Sequence, residues 1–160
     1  MLMAIGDNYK IAVSVDNGAT WTLKDSGETG CNFKCVCYAN GKFYIGATTS
    51  KILATPDGDN FEAVLAPKSF YYIVHNGSYF LAKSKEEQTL YTSKNGIDWF
   101  ICASTARLAP GIDSFLAYHP IGKIVSICAD AGSVNESLYM IALSQSALPT
   151  IPGKYIKIKE

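Results

Sequence analysis

Apolar residues in this chain fall into short runs, many of them alternating with polar residues, and each run is bounded by Gly, Asn, Asp or Pro. Alternation with a period of two is the mark of a half-buried strand, and no stretch shows the three-and-four spacing of an amphipathic helix. The pattern predicts fifteen strands, over residues 2–5, 9–15, 20–24, 33–39, 42–48, 51–55, 60–65, 69–75, 78–83, 89–93, 98–103, 114–118, 123–128, 137–143 and 154–159. Asn40-Gly41 and Asn76-Gly77 fit two-residue hairpin turns, where both central residues need positive φ. The expected class is all-β.

One short signature recurs within this pattern. Ser14-Val-Asp16-Asn-Gly18-Ala-Thr20-Trp21 is echoed by Thr55-Pro-Asp57-Gly58-Asp-Asn-Phe61 and by Ser93-Lys-Asn95-Gly96-Ile-Asp-Trp99. The acid or amide stands at 16, 57 and 95, so the spacings are 57 − 16 = 41 and 95 − 57 = 38, a period that signals a repeat architecture. Asp, Asn, Ser and Thr side chains accept hydrogen bonds from nearby backbone N–H groups, and Gly supplies positive φ, so the box reads as a turn fastener. The aromatic residue that follows opens the next strand and is suited to pack into the neighbouring repeat. A catalytic use of Asp16, Asp57 or Asn95 is disfavoured, because a carboxylate that locks a turn has its lone pairs engaged by the backbone. A second register agrees: Lys10-Ile-Ala-Val-Ser14 matches Lys51-Ile-Leu-Ala-Thr55 at an offset of 41. The unit is a four-stranded meander whose third strand ends in the box and whose fourth starts at the aromatic.

These boxes resemble the Asp-box, or BNR, repeat of sialidase-type propellers, of related glycan-handling proteins and of many bacteriophage tail and fibre proteins. The resemblance covers residues 1–103. Box one has the full S-x-D-x-G-x-T-W form, boxes two and three are shortened, and no fourth box is recognisable near Ser144. The resemblance implies a small, about four-bladed or partial β-propeller of antiparallel meanders. It would form one domain over residues 1–160, with units near 1–30, 31–67, 68–104 and 105–160. The structural box residues are then Ser14, Asp16, Gly18, Thr20, Trp21, Thr55, Asp57, Gly58, Phe61, Ser93, Asn95, Gly96 and Trp99.

Residues 2–24 supply only three strands of the first unit, so its innermost strand is expected from elsewhere. Residues 155–159 alternate apolar and basic side chains; they either close the ring or end the fourth unit, and Lys157 with Lys159 would blunt an exposed edge. Four blades is the lower limit for a propeller, and a partial propeller completed by another chain is the alternative.

Composition narrows the function. With 14 basic and 14 acidic residues, scattered rather than clustered, the chain has no electrostatic footprint for nucleic acid. The sequence has neither a signal-peptide pattern nor an apolar run of membrane-spanning length, so it is expected to stay in the compartment where it is made. Five cysteines, at 31, 35, 37, 102 and 128, are an odd number, which fits reduced thiols. Cys35 and Cys37 should share a strand face. Their C-x3-C-x-C spacing with Cys31 lacks a metal knuckle, and small buried apolar roles are favoured over a metal site. His75 and His119 precede turns.

Sialoside hydrolysis calls for a cluster of arginines to clamp the substrate carboxylate, and Arg107 is the only arginine. A cysteine nucleophile has no local signature beside either histidine. The expectation is therefore a non-enzymatic protein with neither metal nor cofactor: a rigid platform whose loops, near residues 105–113, 129–136 and 144–153, contact partners. The resemblance of the short boxes to those of phage proteins implies a virion structural component, in a tail, fibre or accessory attachment role. Its partners would be other virion proteins or a host-surface receptor, or copies of itself, with neither nucleic acid nor membrane among them. A cellular glycan- or protein-binding module, using aromatic residues such as Phe70, Tyr71 and Tyr72, or a capsid decoration protein, is the alternative.

Overall fold

The computed structural model describes residues 1–84, 89–104, 113–119, 124–130 and 137–142, and within these the side chains as far as Ile101. The described chain is all strand and turn. Sheet one holds β1 (Leu2–Ile5), β2 (Ile11–Ser14) and β3 (Thr22–Lys24). Sheet two holds β4 (Phe33–Ala39), β5 (Lys42–Ala47), β6 (Lys51–Thr55) and β7 (Glu62–Leu65). Sheet three follows with β8 (Phe70–His75), β9 (Phe80–Ser84), β10 (Thr89–Ser93) and β11 (Phe100–Ser104), and sheet four with β12 (Asp113–His119), β13 (Ile124–Asp130) and β14 (Ser137–Ala142). Each sheet is an antiparallel meander in chain order. The expected strand at 154–159 lies outside the described residues.

The inner strands β4, β8 and β12 lie side by side in succession, as blades do about an axis, and β1 is the strand of sheet one that meets β4. The boxes fix which position each strand holds. They follow β6 and β10, the third strands of sheets two and three, and they follow β2 in sheet one. Thus β1, β2 and β3 occupy the second, third and outer positions, and the inner position of sheet one is unfilled by any described strand.

Two apolar layers join the sheets. Ile11 and Val13 of sheet one pack with Phe33, Ile45, Ala47 and Leu53 of sheet two, with Met3, Ile5, Val36 and Phe61 at the margin. The opposite face of sheet two, with Tyr44, Ile52 and Ala54, meets Phe70, Ile73, Phe80, Ala82 and Tyr91 of sheet three. Period-two alternation explains the division, since Ile45 and Leu53 point one way and Tyr44, Ile52 and Ala54 the other. Tyr44 and Phe80 meet edge to face, with ring centroids 4.6 Å apart.

Several strand ends differ from expectation for local reasons. Asn8 and Tyr9 have φ of 55° and 51°, so β2 begins at Ile11 rather than at residue 9. Strands after the boxes start two residues late, at Thr22, Glu62 and Phe100, because the preceding residues are engaged in the turn. Asn40-Gly41 forms the expected two-residue hairpin, closed by the pair Ala39 and Lys42, with φ of 50° and 78°. Asn76-Gly77 does not. The closing pair there is His75 and Phe80, which makes a four-residue loop in which the Asn76 side chain accepts from the Ser78 and Tyr79 amides at 3.0 and 2.8 Å.

Candidate functional site

Each box assembles around a hydroxyl and a carboxyl or amide oxygen. In box one Ser14 Oγ donates to Asp16 Oδ1 at 2.7 Å and accepts from the Gly18 amide at 2.8 Å. Asp16 also accepts from the Thr20 amide at 2.9 Å and from the Thr20 hydroxyl at 2.6 Å. In box two Thr55 Oγ1 donates to Asp57 at 3.2 Å and accepts from Gly58 N at 2.8 Å, while Asp57 Oδ1 takes the amides of Asp59 and Asn60 at 2.9 and 2.8 Å. In box three Ser93 donates to Asn95 Oδ1 at 3.1 Å and accepts from Gly96 N at 2.9 Å, and Asn95 Oδ1 takes the amides of Ile97 and Asp98, both at 2.9 Å.

The replacement of Asp by Asn in box three has a partner that sequence reading overlooked. In box two the Asn60 amide donates to Asp57 Oδ2 at 2.7 Å; in box three the Asn95 amide donates to Asp98 Oδ2 at 2.8 Å. Acid and amide have exchanged places across one hydrogen bond. The complementary pairs Asp57/Asn60 and Asn95/Asp98 are the sequence signal that could have revealed this.

These bonds favour the charged carboxylate. The Thr20 hydroxyl and amide, then Ser14, hold Asp16 down to about 2 from 3.8, and the Asn60 amide and side chain hold Asp57 well below the ordinary range. A carboxylate so occupied is a poor proton acceptor at neutral pH and has little capacity left for a ligand.

Box aromatics do not share one environment. Phe61 joins the layer between sheets one and two, and Trp99 packs on Phe70 and Phe80 in the layer between sheets two and three. Trp21, expected to pack into a neighbouring repeat, is instead 46% exposed, because no described sheet precedes sheet one. Both indoles nonetheless bond alike: Trp21 Nε1 donates to Gly18 O, and Trp99 Nε1 to Gly96 O, each at 3.2 Å.

Two glycines act between sheets. A Cβ on Gly58 would lie 2.8 Å from Val13 of sheet one, and on Gly96 2.5 Å from Tyr44 of sheet two, so each later box seats its bare backbone against the sheet before it. Gly46, outside the signature, was missed by sequence reading; a Cβ there would strike the Phe70 carbonyl and lie 2.6 Å from Cys35 Sγ. Cys35 and Cys37 face the layer between sheets two and three, and Cys31 is buried between sheets one and two. Burial pushes Cys35 up to about 12 and Cys37 to about 11, and raises Cys31 as well, so at neutral pH these are protonated thiols and weak nucleophiles. Among the described residues no three His, Cys, Asp or Glu side chains come together to hold a metal ion.

His75 has its ring against Phe80, 4.5 Å between centroids, and its Nδ1 accepts from Gly77 N at 3.2 Å. Burial lowers its pKa, so it acts as a neutral turn fastener. Phe70 is fully buried and unavailable as a surface contact; Tyr71 and Tyr72 are half-buried. Arg107 and the side chains of Cys102, His119 and Cys128 lie outside the described residues, as does most of each partner-contact loop expected at 105–113, 129–136 and 144–153.

Comparison with solved structures settles the fold. The structure of YCF48 bound to D1 peptide superposes with a TM-score of 0.63 at 18% identity, covering 87% of this chain and 57% of that one. PorZ, described as an essential bacterial surface component of the type-IX secretion system of Porphyromonas gingivalis, superposes with a TM-score of 0.65 at 11% identity, covering 99% of this chain and 24% of that one. The architecture is β-propeller-like. The chain thus spans little more than half the length of the one and a quarter of the other. No family model matches the sequence, and no curated protein matches it either.

Proposed function

We propose that the chain is a non-enzymatic, protein-binding propeller module, serving as a structural component of a bacteriophage virion in a tail, fibre or accessory attachment role. The observation that carries the non-enzymatic reading is the occupancy of the boxes: the recurrent polar residues Ser14, Asp16, Thr55, Asp57, Ser93 and Asn95 all bond within their own turns. What such a construction supplies is a stiff scaffold for loops, and loops on a rigid sheet framework are where recognition is carried. A protein ligand is favoured because a solved structure of the same architecture, YCF48, holds a peptide. The virion assignment rests on the resemblance of the shortened boxes to those of phage tail and fibre proteins, and a fold alone does not fix a function.

The test is to tag the chain and image purified phage particles from cells that carry its gene. Specific labelling at one structural position is expected. Particles without the chain, together with its recovery on a soluble bacterial protein or a glycan, would replace the virion role by that of a cellular binding module. Sialidase turnover lost in Arg107→Lys would overturn the non-enzymatic reading.

A further inference from the structure

Four asparagine–glycine pairs stand in turns of this chain, at 17–18, 40–41, 76–77 and 95–96. Each joins a thermolabile side chain to a glycine amide with no Cβ to screen it. The reaction open to such a pair is intramolecular. The deprotonated glycine nitrogen attacks the asparagine Cγ, a C–N bond forms, the Cγ–Nδ2 bond breaks, and the side-chain nitrogen leaves with the displaced proton as ammonia. Water then opens the cyclic succinimide at either carbonyl, giving aspartate or isoaspartate, in which the main chain runs through the side-chain carboxyl.

Three of the four glycine amides are committed. Gly18 N donates to Ser14 Oγ at 2.8 Å, Gly77 N to His75 Nδ1 at 3.2 Å and Gly96 N to Ser93 Oγ at 2.9 Å. A donated hydrogen bond favours the protonated amide and so withholds the nucleophile. Two of the asparagines are pinned as well: Asn76 Oδ1 accepts from the Ser78 and Tyr79 amides, and Asn95 accepts from Ile97 and Asp98 while donating to the Asp98 carboxylate.

Asn40-Gly41 differs from all three. Both residues are exposed, a Cβ on Gly41 would meet nothing within 4 Å, and among the described residues no acceptor takes the Gly41 amide. Asn17-Gly18 is the matched comparison: Asn17 is also exposed, and φ is 58° and 93° there against 50° and 78° at Asn40-Gly41. The two pairs share a backbone region, and the bond to Ser14 sets them apart. We propose that Asn40 is a site of self-modification, converted in the folded protein to aspartate and isoaspartate while Asn17, Asn76 and Asn95 persist. Aspartate tolerates the left-handed backbone, so that product keeps the turn and adds a negative charge. Isoaspartate lengthens the main chain within a two-residue turn closed by Ala39 and Lys42, and presents a free α-carboxylate to an isoaspartyl methyltransferase. By the same reasoning Ser14 and Ser93 protect the asparagines of their boxes chemically as well as fastening the turns. This modification is independent of what the module binds.

The measurement is peptide mapping by mass spectrometry of the folded chain held in mildly alkaline buffer, with the chain unfolded in urea alongside. Expected is a gain of one mass unit at Asn40 that outpaces the other three pairs several-fold in the folded chain, and similar rates at all four in urea. Methyl transfer from S-adenosylmethionine by an isoaspartyl methyltransferase should mark the isoaspartate at the same position. Ser14→Ala frees the Gly18 amide and should raise conversion of Asn17 several-fold while leaving Asn40 unchanged. Should Ser14→Ala fail to fold by circular dichroism, His75→Phe, which keeps a ring beside Phe80 and removes the acceptor for Gly77, carries the same test at Asn76. Conversion of Asn17, Asn76 or Asn95 as fast as Asn40 in the folded chain overturns the proposal. So does an intact Asn40 when the chain in urea has converted, or an unchanged rate at the pair whose glycine amide has been freed.

Discussion

At the scale of single residues, the boxes make the chain sensitive to acid. Because the folded-state pKa of Asp16 lies near 2, below the ordinary 3.8, its contribution to stability is complete above about pH 4 and disappears as the pH falls through 2; Asp57 acts in the same direction. Thermal melts should therefore show a midpoint that declines steeply between pH 4 and 2, and Asp16→Asn, which keeps an acceptor oxygen, should flatten that decline. The Asn95/Asp98 pair yields a sharper outcome. Asn95→Asp sets a second carboxylate against Asp98 and removes a donated hydrogen bond, which should cost on the order of 1 kcal/mol and lower the midpoint by about 2–4 °C at pH 7. Adding Asp98→Asn recreates the box-two arrangement and should restore it; failure of that rescue in melts would show that the exchange of acid and amide is not what balances the box. Sequence pattern sufficed to find Asp16, Asp57 and Asn95 as turn residues. It did not reach Asn60 and Asp98, because their role depends on a side chain folding back across the turn, which spacing alone does not encode.

Among elements, the strands and their order follow from alternation and turn residues, and the errors cluster where a turn takes residues from a strand. Tyr9 is apolar and precedes Ile11, yet it lies in the left-handed region, which no periodicity could announce. Asn60 looks like the start of a strand and is part of a box. Burial of the box aromatics was legible only in part, since whether a ring is covered depends on what precedes its sheet. Trp99→Ala should accordingly destabilise the protein by about 3 kcal/mol, the low end of the range for buried aromatics, whereas Trp21→Ala in dilute solution should cost under about 1 kcal/mol. Equal losses in denaturant titrations would mean that both rings are equally covered. Gly46 was invisible in the sequence because its need for a bare backbone arises from Phe70, on another sheet. Gly46→Ala should cost about 1–3 kcal/mol by forcing β5 away from β8, again measured by denaturant titration; a neutral result would contradict the close approach of sheets two and three.

Across the molecule, sheets two and three each have four described strands, while sheet one has no described inner strand and sheet four no described outer one. The repeat spacing near 40 residues made the succession of sheets readable, because each meander must bury both faces against neighbours of the same kind. The exposure of Trp21 and Leu23 on sheet one was not readable, since it depends on packing between sheets rather than on any local pattern. The whole construction requires that three separate turns be locked by the same side-chain device and be as firmly held as the strands they join. Amide hydrogen exchange by NMR reads this at each box. The amides of Gly18, Gly58 and Gly96, which donate to Ser14, Thr55 and Ser93, should exchange as slowly as those of β5 and β6. Exchange of these three amides at the rate of an unstructured peptide would contradict the box-locked propeller and return the polar residues of the signature to the pool of candidate active groups.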